Sequence, residues 1–174
     1  MPANHPEVPY SLPALLEPED LQLHVQSNLF SQEPLIVDAH ENKQIIRNFI
    51  QVVWREQNLA AVSDYWTADC INYAMPEPNN YGLKALRTYH ESFFSEFSAF
   101  SNIQIEILQQ VAEGDRVVTY TSTQGEHSGT FHGIPPTGKQ IAIFTIRIDR
   151  MQDGKIAEHW SVSDASRLIQ QLQP

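Results

Sequence analysis

The sequence predicts an α+β domain, with helices first and a long antiparallel meander after them. Two observations carry this reading. Up to Phe97 the apolar residues recur at helical spacing, and after Phe100 they alternate with polar ones. Turn signals then cut the alternating part into strands: Glu113-Gly114-Asp115, Pro135-Pro136-Thr137-Gly138 and Asp153-Gly154. Helices gathered ahead of the strands, and not inserted between them, give the α+β order.

Residues 1–37 stand apart. They hold six of the eleven prolines (Pro2, Pro6, Pro9, Pro13, Pro18 and Pro34) and an acidic knot, Glu17-Pro18-Glu19-Asp20. An arm is expected there, with at most one short helix over 20–30, wrapping the domain or a partner subunit. The domain proper is expected over 38–174. Asp38-Ala39-His40-Glu41 resembles a capping box, and Ile45, Phe49, Val52 and Val53 continue it as a helix to about Asn58. A shorter helix is expected over 59–66 and a short strand over 71–75, closed by Pro76-Glu77-Pro78. A third helix, 83–97, carries Leu83, Leu86, His90, Phe93 and Phe97 along one stripe.

The strands follow. Ile103, Ile105 and Ile107 alternate with Gln104 and Glu106. Residues 116–131, 139–150 and 155–163 complete the sheet, and Asp164 is placed to cap a last helix over 165–172. A curved sheet folded around a helical layer leaves a hollow, a usual place for a ligand.

Composition narrows the function. At 174 residues, with 41% hydrophobic and 18% charged residues, one domain with a full core is expected. The net charge of −10, with no Lys/Arg cluster, argues against nucleic acid and against an anionic membrane surface. The one cysteine, Cys70, excludes an intrachain disulfide and a cysteine-based zinc site; a small buried residue is expected there. There is no H-x-H or H-x-x-x-H pair, and His127 and His132 point to opposite faces of a strand, so no metal is expected. Neither a signal peptide nor an apolar run of spanning length is visible, so a cytoplasmic protein is expected.

One segment resembles a known group. The pattern runs Gly125-x-His127-x-Gly129-x-Phe131-x-Gly133-Ile134-Pro135-Pro136-Thr137-Gly138-Lys139. It continues through Arg150-x-x-Asp153-Gly154-Lys155-Ile156-x-Glu158-His159-Trp160, with Asp164 four residues past the Trp. With Tyr65-Trp66-Thr67-Ala68-Asp69 and Glu113-Gly114-Asp115-Arg116-Val117-Val118 upstream, it is similar to the SnoaL-like polyketide cyclases, or predicted ester cyclases, over residues 42–172. The resemblance implies the nuclear transport factor 2-like cone. It also implies ring closure by an intramolecular aldol reaction without metal or cofactor, the proton moved by an acid on the last strand with His, Gln and Asn helpers. The family's acid stands directly after the Trp, where this chain has Ser161. The helper His falls at Arg147 and the helper Gln at Thr145. Serine is a poor base and arginine stays protonated, so that mechanism does not carry over unchanged.

The candidate residues come from the last three strands and the short one. His127, flanked by Gly125 and Gly129 on its own face, is expected to have open space for acid/base work; the alternative is a hydrogen-bonded histidine of the sheet. Arg147 suits a carboxylate or enolate, or an ion pair with Glu158 or Asp149. Asp164 is a proton carrier or an N-cap. Asn72, Tyr73, Phe131, Thr145, His159, Trp160 and Ser161 are expected to bind ligand, and His90 to be a core histidine. If Asp153-Gly154 forms a bulged turn, Arg147 faces His159 and Thr145 faces Ser161 on one side; a two-residue turn pairs Arg147 with Trp160 instead. Sharing a face with Arg147 would keep His159 neutral.

Two functions fit these expectations. One is a cofactor-free acid/base enzyme (cyclase, isomerase or lyase) on a small hydrophobic carbonyl compound, with His127, Arg147 and Asp164 as its catalytic set. The other is a non-catalytic small-molecule-binding or interaction module of the same fold. Apolar residues on both sides of the late strands, Val117 with Val118 and Ile143 with Phe144, lead us to expect a homodimer through the outer face of the sheet.

Overall fold

A computed structural model describes residues 33–173, with side chains from Ala39 onward. The N-terminal arm lies outside the described residues except for 33–37, which are already helical. The chain divides into two units, Met1–Pro34 and Leu35–Pro174, and every strand among the described residues belongs to the second.

Helix α1 spans Glu33–Phe49 and runs on into a π-helical stretch, Ile50–Arg55. Asp38 therefore sits inside α1 and is not its cap; the expected capping box is corrected. The buried stripe is Ile46, Phe49, Ile50 and Val53, an i, i+3, i+4, i+7 set. The expected helix over 59–66 shrinks to a 3₁₀ turn at Leu59–Ala61 and a four-residue α2, Val62–Tyr65. Trp66 is already extended (φ −119°, ψ 149°) and opens β1, Trp66–Asn72. That strand starts earlier than expected because its inward residues are Trp66, Cys70 and Asn72, one parity along the chain, and not the apolar Ile71.

Helix α3 covers Gly82–Phe97. Four strands follow: β2 Phe100–Glu113, β3 Arg116–His127, β4 Gln140–Gln152 and β5 Lys155–Ser163. Helix α4, Ala165–Leu172, closes the chain and buries Leu168 and Leu172. The sheet order is β1-β5-β4-β3-β2, antiparallel except for β1 against β5. Irregularities in β2, between Ser101 and Gln104 and between Ile107 and Gln109, bend the sheet. The core under it joins the α1 stripe to Trp66, Leu86, Val117, Met151 and Ile156. Phe49 meets Tyr65 and Trp66 edge-on, at 5.7 and 5.9 Å between ring centres. A second cluster gathers Phe100, Phe131, Ile141, Ile143, Leu168 and Leu172. No helix among the described residues is long and apolar enough to cross a membrane.

The last hairpin corrects both expected registers. Asp153 and Gly154 have positive φ (51° and 73°) and form a two-residue turn that pairs Gln152 with Lys155. The register then shifts at Ala157, which has no partner, so Arg147 faces Ser161 and Asp149 faces His159. Two one-residue effects leave the pairing two residues from the expected one. A shift of two keeps every side chain on its face, and Thr145, Arg147, His159 and Ser161 still share one.

Candidate functional site

A cavity of about 260 Å³ lies between the sheet and the helices. The cross-strand rows of the sheet build its floor. Val117, Asp149 and His159 form the most buried row, and of these His159 reaches the cavity while Val117 and Asp149 lie beneath it. Thr119, Arg147 and Ser161 form the next, and Thr121, Thr145 and Ser163 the one after. The opposite wall is aromatic: Trp54 from the π-helical stretch, then Tyr89, Phe93, Phe94 and Phe97 from α3. The wider π-helical turn displaces the side chains from ideal α spacing, and Trp54 lines the cavity although it is absent from the buried stripe of α1. Phe131, Ala165 and Leu168 also contribute to the lining.

Three polar groups meet on the floor. The Arg147 guanidinium donates to both Asp149 oxygens, Nε to Oδ2 and Nη2 to Oδ1, each at 2.7 Å. His159 Nδ1 lies 2.8 Å from the same Oδ1 and 3.5 Å from Arg147 Nη2. Asp149 is completely buried. Burial alone would push its carboxyl up; the Arg147 charge and the His159 ring reverse this and hold it at about 2. A carboxylate only accepts hydrogen bonds, so His159 Nδ1 carries the proton and Nε2 keeps its lone pair. Burial, then the Arg147 charge, lower the affinity of His159 for a second proton, against the pull of Asp149. The result is a neutral imidazole, oriented by a buried carboxylate, on the floor of an apolar cavity.

Five expected site residues come together here: Phe131, Thr145, Arg147, His159 and Ser161 all line the cavity. The other five do not. His127 is fully buried and outside the lining; its Nδ1 accepts from the Thr137 backbone N–H at 3.3 Å and lies 3.0 Å from the Thr137 hydroxyl. The glycines beside it leave no free space. A Cβ on Gly125 would stand 3.1 Å from the Ser101 carbonyl oxygen, and one on Gly129 2.9 Å from Ala99 Cα. They serve close approach of the backbone, and the Ala99 carbonyl accepts from both Ser128 and Gly129 N–H. This also ends the expected strand over 116–131 at His127.

Asp164 caps α4, accepting from Arg167 N–H and the Ser166 hydroxyl at 3.0 Å each, and faces a shallow surface hollow. Asn72 is buried next to His159 in the parallel pairing, and its Oδ1 accepts from Ala74 N–H at 3.0 Å. Tyr73 and Trp160 stack on each other, ring centres 4.7 Å apart, away from the cavity. Glu158, weighed as a partner for Arg147, pairs with Arg150 at 2.8 Å instead.

The expected alternative of an Arg147–Asp149 ion pair is what forms; of Asp149, sequence reasoning missed only that it also orients His159 and so belongs to the site. Its signal was parity, since Arg147 and Asp149 fall on one face of an alternating strand. Cys70 is buried, which raises its thiol to about 11. Among the described residues no three His, Cys, Asp or Glu side chains gather to hold a metal ion.

His90 lies near the floor cluster, 1% exposed, with Nδ1 2.9 Å from the Leu86 carbonyl and its ring 4.9 Å from Trp54. Burial, with the nearby Arg147 charge, lowers it to about 4 from 6.5. A lowered histidine contributes stability that is present above pH 6.5 and lost as pH falls through about 4. Stability measured by urea unfolding is expected to drop by roughly 3 kcal/mol over that window on account of this group. His90→Phe, which keeps an aromatic ring there, is expected to flatten the slope by one proton. An unchanged slope would show that His90 titrates normally in the fold.

A family model described as SnoaL-like polyketide cyclase matches residues 44–172. Among solved structures, AclR from Streptomyces galilaeus, a candidate hydroxylase, is 27% identical, with 78% of this chain and 99% of that one covered, at a TM-score of 0.64. A candidate polyketide cyclase from Acidithiobacillus ferrooxidans is 24% identical, covering 76% and 94%, at 0.67. IdmH from Streptomyces antibioticus, a candidate polyketide cyclase, is 22% identical, covering 75% and 97%, at 0.65. No curated protein matches the chain. Neighbours named for two different reactions share the fold, so the chemistry has to be argued from the side chains.

Proposed function

The chain belongs to the SnoaL-like polyketide cyclase family, and on that premise we propose that it is an acid/base enzyme acting on a small, largely apolar carbonyl compound. The observation that carries this reading is the Asp149–His159–Arg147 cluster under an aromatic wall. His159 Nε2 takes a proton from carbon next to the carbonyl. Asp149 holds the ring in the tautomer that can accept it and stabilises the imidazolium that forms. Arg147 offsets the charge that develops on the enolate oxygen. His159 thus takes the role expected of His127 or Asp164. The proposed step calls on no metal or cofactor. The volume favours a ligand of one or two rings: a cavity of about 150 Å³ holds benzene.

Phenylacetone, a ring and a carbonyl in one small molecule, tests this. In deuterated water the protein is expected to exchange the protons flanking the carbonyl faster than buffer does, as followed by NMR. The rate should fall as pH drops below the ordinary histidine range, because His159 must be neutral. If neither phenylacetone nor any of a panel of aryl ketones exchanges, while such compounds bind tightly, the fold serves as a binding module. Ser161, standing where the family's acid does, favours that second reading.

We also propose that the outer face of the sheet seats a second copy of the chain. Ile146 (50% exposed) lies there between Tyr120 on β3 and Val162 on β5 (77% exposed). Val118, Ile148 and Trp160 form the neighbouring row. Sedimentation is expected to give a dimer at micromolar concentration, and Ile146→Asp a monomer. A wild-type monomer would end this proposal.

A further inference from the structure

The floor cluster supplies a base and a cation but no neutral proton donor. Asp149 is ionised, and neither His127 nor Asp164 reaches the cavity. Besides Arg147 and His159, the titratable residues of the lining are Tyr89 and Glu96, and Glu96 is paired with His132. Tyr89 comes from α3, across the cavity from the sheet. Its ring is set between His90 and Phe93, at 5.5 and 6.1 Å between ring centres. Tyr89 and Arg147 line the same cavity; burial raises the phenol pKa, and the Arg147 charge pulls against that rise. Arg147 spends Nε and Nη2 on Asp149, so Nη1 has no partner among the described residues.

We propose that the Tyr89 hydroxyl and Arg147 Nη1 form an oxyanion site that holds the anionic oxygen of a planar conjugated ligand, an enolate or a phenolate. In the proton transfer above, the C–H bond breaks toward His159 Nε2. Its electron pair becomes the enolate double bond, and the carbonyl pair moves onto oxygen. That oxygen then accepts hydrogen bonds from Tyr89 and Arg147, with the proton held on His159. Two donors from opposite walls fix the plane of the enolate against the aromatic side. The catalytic meaning of the site rests on the proposed function; its ligand chemistry does not.

p-Nitrophenol is the probe, because its phenolate is an enolate-like oxyanion on one ring and its colour reports ionisation. The wild-type protein is expected to bind the phenolate more tightly than nitrobenzene, and to lower the pH at which the bound phenol ionises. Tyr89→Phe, which removes one oxygen, is expected to weaken phenolate binding by roughly tenfold or more and to leave nitrobenzene binding unchanged. Equal phenolate affinity in Tyr89→Phe would overturn the proposal. So would a wild-type protein that binds nitrobenzene as well as phenolate, or neither. Because the readout is binding, a protein that passes this test and exchanges no ketone protons loses the enzyme reading and keeps the oxyanion site.

Discussion

Arg147→Met is expected to destabilise the protein by about 3–5 kcal/mol. Asp149 is fully buried, and Arg147 binds both of its oxygens. Methionine fills similar space and leaves a carboxylate with only His159 for company. The pH dependence is the sharper test. In the wild type the Asp149 pKa is depressed, so its contribution is present above the ordinary value of 3.8 and lost as pH falls through about 2. In the variant, burial still pushes the carboxyl up and only His159 opposes it, so the pKa rises from its depressed value and the stability that Asp149 contributes at neutral pH shrinks. His159 also regains affinity for a proton, because the Arg147 charge that opposes it is gone. Urea unfolding across pH measures both effects. A variant as stable as the wild type at neutral pH, with the same slope, would show that the pair contributes little.

His159→Gln is expected to slow proton exchange of phenylacetone by about 10²–10⁴-fold while the fold survives, since glutamine can still donate to Asp149. Asp149→Asn should impair the same step by another route. The asparagine amide would donate to Nδ1, moving the histidine proton to Nε2, where no lone pair remains to accept one. NMR exchange rates on folded variants decide this. Exchange in His159→Gln at the wild-type rate would move the base elsewhere in the cavity.

Much of this protein is determined by its sequence alone. The change of periodicity at Phe100 separates helices from strands, the cap at Asp164 starts α4, and strand parity puts Thr145, Arg147, His159 and Ser161 on one face. These are local properties, set by each residue's neighbours along the chain. Tertiary structure decided the rest. The bulge at Ala157 chose which residues stand opposite each other, and so brought His159 to Asp149. The close pass of β2 and Ala99 over Gly125 and Gly129 filled the space that glycines promise in a sequence, and left His127 outside the cavity. Tyr89 and Trp54 reached the cavity because α3 and the π-helical stretch pack across from the floor. Spacing along a chain says which face a side chain takes. How close two faces come depends on backbone packing and bulges that no single segment encodes.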